Sequence, residues 1–243
     1  MADSSAILTF HSIDRSGSVI SYDPDLFRAR MEALAESGPA VVPLAECLRQ
    51  PGTIAVTFDD GFGNFATDAW PVLRRLRIPA TLFVVTGRVG ARNSWDQPGV
   101  RVPDLPLLDW PELRELAQEG VELGAHSHTH ADLTGLQGEQ LEEEFELPLR
   151  LIEERVGKKP RAFAYPYGKV DAQARARSAA LYETACGTVM GYWNGQGDVH
   201  DLPRLDAYYL RGAAGPADVL SVRCRRWMAA RGFARRMRSG LSL

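Results

Sequence analysis

The feature that most restricts how this chain can fold is a short run of residues, apolar on both faces, that recurs along it. Residues 6–10, 53–58 and 80–85 read as such strands; 121–125 and 162–165 continue the series, with weaker candidates at 183–186 and 201–205. Between them, residues 24–36, 65–76, 110–119, 140–156 and 171–181 have helical spacing and plausible helix starts. A strand buried on both faces needs a layer on each side, and a helix after each strand supplies one. The alternation therefore predicts a parallel α/β fold, and it fits an open sheet and a closed barrel equally. Residues 87–106 are polar and rich in Gly and Pro, and read as an insertion loop rather than a domain boundary.

Composition excludes several other classes. Of 243 residues, 45% are hydrophobic and 24% charged, so disordered, collagen-like and disulfide-scaffold chains are ruled out. Cys47, Cys186 and Cys224 are far apart, form no Cys-x-x-Cys pair, and read as reduced and structural. No run of about 18 apolar residues is present to span a bilayer. The first residues lack a basic segment followed by a long apolar one, so the expectation is a cytoplasmic protein without a secretory signal. The net charge of −3 hides a division: residues 223–238 hold seven arginines and no acid, leaving −10 on the remainder.

Two motifs at strand ends carry chemistry. The second strand stops at Asp59-Asp60-Gly61. Adjacent side chains on an extended backbone diverge, so one carboxylate can hold a cation while the other faces elsewhere. An ordinary Asp-Gly turn reads as well from the tripeptide alone. The fourth strand ends in His126-Ser127-His128-Thr129-His130, which places three of the five histidines within five residues. On a helical turn, His126 and His130 project to one side. With a carboxylate from another strand they complete a three-ligand set that leaves positions for water and substrate, the catalytic pattern for zinc. His128 then points away, as a supporting or exposed residue. Tyr165-Pro166-Tyr167-Gly168 follows the fifth strand and is, by itself, a strand-to-helix turn.

Taken in order, Thr57-Phe58-Asp59-Asp60-Gly61-Phe62, His126-Ser127-His128-Thr129-His130 and Tyr165-Pro166-Tyr167-Gly168 resemble the polysaccharide deacetylase family, carbohydrate esterase family 4, over roughly residues 5–210. The resemblance implies a distorted (β/α) barrel of about seven strands with its site at the C-terminal rim. It also implies metal-dependent removal of an acetyl group from a sugar. Carried over, Asp60, His126 and His130 are the metal ligands, Asp59 is the catalytic base, and the backbone N–H of Tyr167 is an oxyanion donor. Trp110 resembles the tryptophan that walls the acetyl pocket, although a core aromatic at a helix start fits it equally. One divalent ion is implied, zinc foremost, with nickel, cobalt and iron also compatible.

The sequence departs from the commonest family pattern twice. Ala164 stands where an arginine usually orients the base, and the late strand reads Leu202-Pro203-Arg204-Leu205-Asp206 instead of supplying Leu-x-His. Both departures resemble a subgroup of circularly permuted biofilm poly-N-acetylglucosamine deacetylases, in which the acid histidine lies on the first strand. Leu8-Thr9-Phe10-His11-Ser12-Ile13 matches that arrangement, so His11 is the expected acid, with His200 as its competitor. Arg204 is the expected base-orienting residue and Arg161 the alternative.

These readings give a catalytic domain over residues 1–215 and a basic helix or tail over 216–243. In the tail, Arg223, Arg225, Arg226, Arg231, Arg235, Arg236 and Arg238 interleave with Trp227, Met228 and Phe233. Such a helix either packs its aromatics on the barrel or lies on an anionic membrane. No nucleic-acid motif accompanies it. The leading expectation is an N-deacetylase acting on a sugar of a surface glycan, glycolipid or glycosylated metabolite, at the inner membrane face. Hydrolysis of another small amide and non-catalytic sugar binding are the competing classes, and the intact Asp59 argues against the last.

Overall fold

The computed structural model describes residues 4–95, 102–212 and 215–240, without the side chains of residues 37 and 233–240. Its strands are β1 (Ala6–Phe10), β2 (Ser12–Ile13), β3 (Ser21–Tyr22), β4 (Ile54–Phe58), β5 (Ala80–Val84), β6 (Glu122–Ala125), β7 (Ala162–Ala164), β8 (Thr184–Met190) and β9 (Leu202–Asp206). The helices are α1 (Pro24–Ser37), α2 (Leu44–Cys47), α3 (Trp70–Leu76), α4 (Trp110–Gln118), α5 (Gly138–Val156), α6 (Ala172–Leu181) and α7 (Val222–Gly240). Seven strands close a parallel barrel in the order β1-β4-β5-β6-β7-β8-β9, and β9 pairs back onto β1. The closed alternative is thus the one realised, with β2 and β3 as a small separate sheet that the strand pattern did not reveal.

Period-2 alternation explains both the apolar runs and the position of the site. On β1 and β4 the even residues (Ala6, Leu8, Phe10, Ile54, Val56 and Phe58) join the large core under the helices. The odd residues Ile7 and Ala55 belong to a second cluster with Phe83, Ala164, Cys186 and Leu202, which fills the barrel. That interior is narrow. A Cβ on Gly124 would lie 2.4 Å from the Phe83 ring, so a side chain there would collide with the aromatic that plugs the barrel. Above this layer the inward positions turn polar: Thr9 and Thr57 face each other at 3.3 Å, and Arg204 on β9 reaches Thr57 at 3.4 Å. The next inward positions are Asp59, His11 and His126, at the C-terminal ends of their strands.

Residues 65–76 are not one α-helix. They form a wide π-turn over Phe65–Ala69 and then α3. The 87–106 insertion doubles back on itself: Gly90 and Asn93 donate backbone N–H to Leu108 and Leu105, and Leu107 donates to Ala91. The predicted C-terminal helix is α7, preceded by a 3₁₀ turn at Pro216–Asp218. Cys224 and Met228 of α7 are buried in the core cluster, while Arg223, Arg226 and Arg231 are exposed. Arg225 is held between Ser4, the Leu220 carbonyl and the Tyr192 ring. Phe233, Arg235, Arg236 and Arg238 lie outside the described side chains.

Candidate active site

Asp59 extends β4 by one residue and keeps the inward direction, whereas Asp60 turns away because its backbone is left-handed, with φ of 75°. The two adjacent carboxylates are therefore sorted into different surroundings. Asp59 receives both arms of Arg204, Nη1 to Oδ1 and Nη2 to Oδ2, each at 2.7 Å. Arg204 is itself fixed by donating Nε–H to the Gly187 carbonyl at 2.9 Å. Both groups are almost fully buried. Burial alone would push the Asp59 carboxyl up, but the guanidinium beside it prevails and holds it below the usual carboxylate range.

Asp60 instead meets the two histidines. Its Oδ1 lies 3.3 Å from Nε2 of both His126 and His130. Residues 126–130 do not form the helical turn expected from their spacing. Ser127 and His130 are left-handed, with φ of 62° and 66°, so the chain folds tightly and brings the two rings to 5.0 Å. Glu144 on α5 sustains this turn by accepting from the backbone N–H groups of His128 and Thr129, at 2.8 and 2.9 Å, and from the Thr129 hydroxyl. His128 points aside, its Nδ1 3.0 Å from the Thr86 hydroxyl.

The three ligand atoms of Asp60, His126 and His130 lie within 4.8 Å of one another, all in buried residues, and among the described residues Asp60 Oδ1 has no well-formed hydrogen bond. His126 donates Nδ1–H to the Ala164 carbonyl at 2.7 Å, which turns its Nε2 lone pair toward Asp60. Two imidazole nitrogens and a carboxylate oxygen, converged on one point, fit a divalent cation with room for further ligands.

This triad lies in a cavity of about 180 Å³. His11 borders it, a quarter exposed, with Nε2 4.0 Å from Asp59 Oδ2. Tyr167 lines the wall in a left-handed conformation, with φ of 58°. The turn it belongs to needs the following glycine: Gly168 has φ of 65°, and a Cβ there would lie within 2 Å of Thr188.

Three sequence candidates are elsewhere. His200 is no part of the cavity lining; its carbonyl accepts from the Tyr165 hydroxyl at 2.8 Å. Arg161 sits at the opposite end of β7, in an exposed ion pair with Glu183. Trp110 does not line the cavity either. It opens α4 beside the Asp109 cap and packs, half-buried, on the outer core, because its position is set by the helix start and not by the strand ends. The tryptophan at the site is Trp95, stacked on His130 at 4.4 Å. The polar insertion has no periodicity to mark a buried aromatic, so the sequence pattern does not single Trp95 out.

Comparison with known proteins places the chain in a family. A Bacillus subtilis (strain 168) protein of polysaccharide deacetylase type, YxkH, is 26% identical over 171 residues, 67% of this chain and 56% of its own. A poly-beta-1,6-N-acetyl-D-glucosamine N-deacetylase of Staphylococcus aureus (strain MRSA252) is 26% identical over 125 residues, 48% of this chain and 40% of its own. The chain thus spans about half the length of the curated relatives it matches. The solved structure of IcaB from Ammonifex degensii shares the fold, with a TM-score of 0.73 over 93% of this chain and 97% of that one at 22% identity. The sequence profile for polysaccharide deacetylases matches residues 49–184, from before Asp59 to beyond Tyr167. With more than half of its length matched in this way, the chain belongs to the polysaccharide deacetylase family.

Proposed function

We propose that the protein is a metal-dependent hydrolase that removes the N-acetyl group from an amino sugar of a glycan, lipid-linked sugar or glycosylated metabolite. The observation that carries this reading is the division of two adjacent carboxylates: Asp60 joins two histidines, and Asp59 is clamped by Arg204 beside them. A divalent cation held by Asp60, His126 and His130, zinc foremost, would supply Lewis acidity toward the amide carbonyl.

The chain's own residues do the rest. Arg204 keeps Asp59 charged and fixes its orientation, so that it accepts a proton from the attacking water. The water oxygen bonds to the acyl carbon, and the Tyr167 backbone N–H donates to the carbonyl oxygen as it gains charge. The C–N bond then breaks, and His11, whose Nε2 lies 4.0 Å from Asp59 Oδ2, gives its proton to the departing nitrogen. The products are acetate and an amine.

The test is acetate release from N-acetylated glucosamine oligomers. Wild type should release acetate, and Asp59→Asn should bind metal equally but be inactive. No release by metal-loaded wild type across a broad panel of N-acetylated sugars would reject the reading.

We further propose that α7 brings the enzyme to the inner face of a membrane. Exposed Arg223, Arg226 and Arg231, set against an acidic remainder, support this; each contributes on the order of 1 kcal/mol near an anionic surface. Because Cys224 and Met228 are core residues, the variant to use is the triple change of these arginines to Glu rather than a truncation. It should abolish sedimentation with vesicles rich in anionic lipid, and undiminished sedimentation would refute attachment through α7.

A further inference from the structure

The two histidines of the cation site are held in different ways. His126 has the usual support, an Nδ1–H bonded to a carbonyl oxygen. His130 does not: its Nδ1 is buried and, among the described residues, has no hydrogen-bond partner. Its backbone is left-handed as well, a conformation that a non-glycine residue keeps only when its surroundings enforce it. What surrounds the ring is aromatic. Trp95 lies nearly parallel to it, with centroids at 4.4 Å and planes 24° apart, and Tyr167 meets it edge-on at 4.7 Å.

Trp95 is anchored for this purpose. It is 8% exposed and packs with Phe62, Val85 and Leu107. Two residues earlier, the buried Asn93 side chain joins the arms of the insertion, donating to the Pro103 carbonyl at 2.9 Å and accepting from Leu105 N–H at 2.6 Å. The insertion thus has a use that its composition does not advertise: it delivers one flat side chain to one ligand.

We propose that Trp95 is a positioning residue for the cation site, setting the His130 ring by stacking where the described residues supply no hydrogen bond. This rests on the reading of Asp60, His126 and His130 as the ligands, and the experiment separates the two. Affinity of the full chain for Zn²⁺ is measured by competition with a chelator, and the visible spectrum of the Co²⁺-loaded protein reports ligand geometry.

Trp95→Leu should bind Zn²⁺ about 10–100-fold more weakly, the usual cost of losing a group that supports a metal ligand, with an altered Co²⁺ spectrum. Trp95→Phe, which keeps a flat ring, should stay within about threefold of wild type. Trp110→Leu, a tryptophan truncated away from the cavity, should bind as wild type does. Wild-type affinity and spectrum in Trp95→Leu, or a loss in Trp95→Phe as large as in Trp95→Leu, would overturn the proposal. If Trp95→Leu does not fold, Trp95→Met, which keeps bulk without a flat face, takes its place and should bind as weakly as predicted for Leu. Failure of the wild-type chain to bind Zn²⁺ at all would instead reject the ligand assignment.

Discussion

Asp59 and Arg204 form a buried ion pair with both oxygens and both terminal nitrogens engaged, and the pair has to be broken to test it. Removing one partner strands the other charge, so Arg204→Met should destabilise the fold by about 3–5 kcal/mol in urea denaturation. Adding Asp59→Asn to that variant should recover part of the loss, which a merely local packing defect would not do. His11→Ala should lower turnover by about 10²–10⁴-fold with metal content unchanged, as loss of a general acid does. Near-normal turnover there, with an inactive His200→Ala, would move the acid to His200. At this scale the sequence was informative where scarce, chemically committed residues stood at strand ends: Asp59, Asp60, His126 and His130. It was ambiguous for arginine, since Arg204 and Arg161 both stand at ends of strands read from the sequence and only closure of the barrel brings one of them to Asp59. For Trp95 it offered no signal, because a single aromatic in a polar loop has no pattern to belong to.

Elements explain why those residues converge. The strand runs were legible because burial on both faces removes the polar alternation, and β1, β4 and β5 begin and end within a residue or so of their apolar runs. The turn at 126–130 was not, because left-handed residues other than glycine leave no mark in a sequence. It depends on Glu144, one helix away, and Glu144→Ala should destabilise the protein by about 3 kcal/mol, the scale for losing hydrogen bonds to a charged acceptor, and weaken metal binding as the turn relaxes. Thermal unfolding and chelator competition on the same sample check both. In the turn after β7, Gly168→Ala should lower the thermal midpoint even in a Thr188→Gly background, which removes the Cβ that alanine would leave 2.4 Å away, because the left-handed backbone still costs about 1–2 kcal/mol. A Gly168→Ala change that has no effect in that background would show that crowding alone matters there.

The whole molecule closes the site through its two ends. The family profile ends at residue 184, yet His11 precedes the matched region and Arg204 follows it; β1 and β9 pair with each other and bring both to Asp59. That closure could not be read from the strand pattern, which fits open and closed sheets alike; it came into view through the resemblance to the polysaccharide deacetylase family, and the place of His11 through the permuted subgroup. The central claim is that one cation, held by Asp60, His126 and His130, is needed for acetate release. The most direct measurement strips the protein with a chelator, returns Zn²⁺ in steps and follows acetate released from N-acetylated glucosamine oligomers. The stripped protein should release none, Zn²⁺ should restore release in proportion up to one equivalent per chain, and Asp60→Ala should not recover. Full activity after chelation, or recovery by Asp60→Ala equal to wild type, would contradict it.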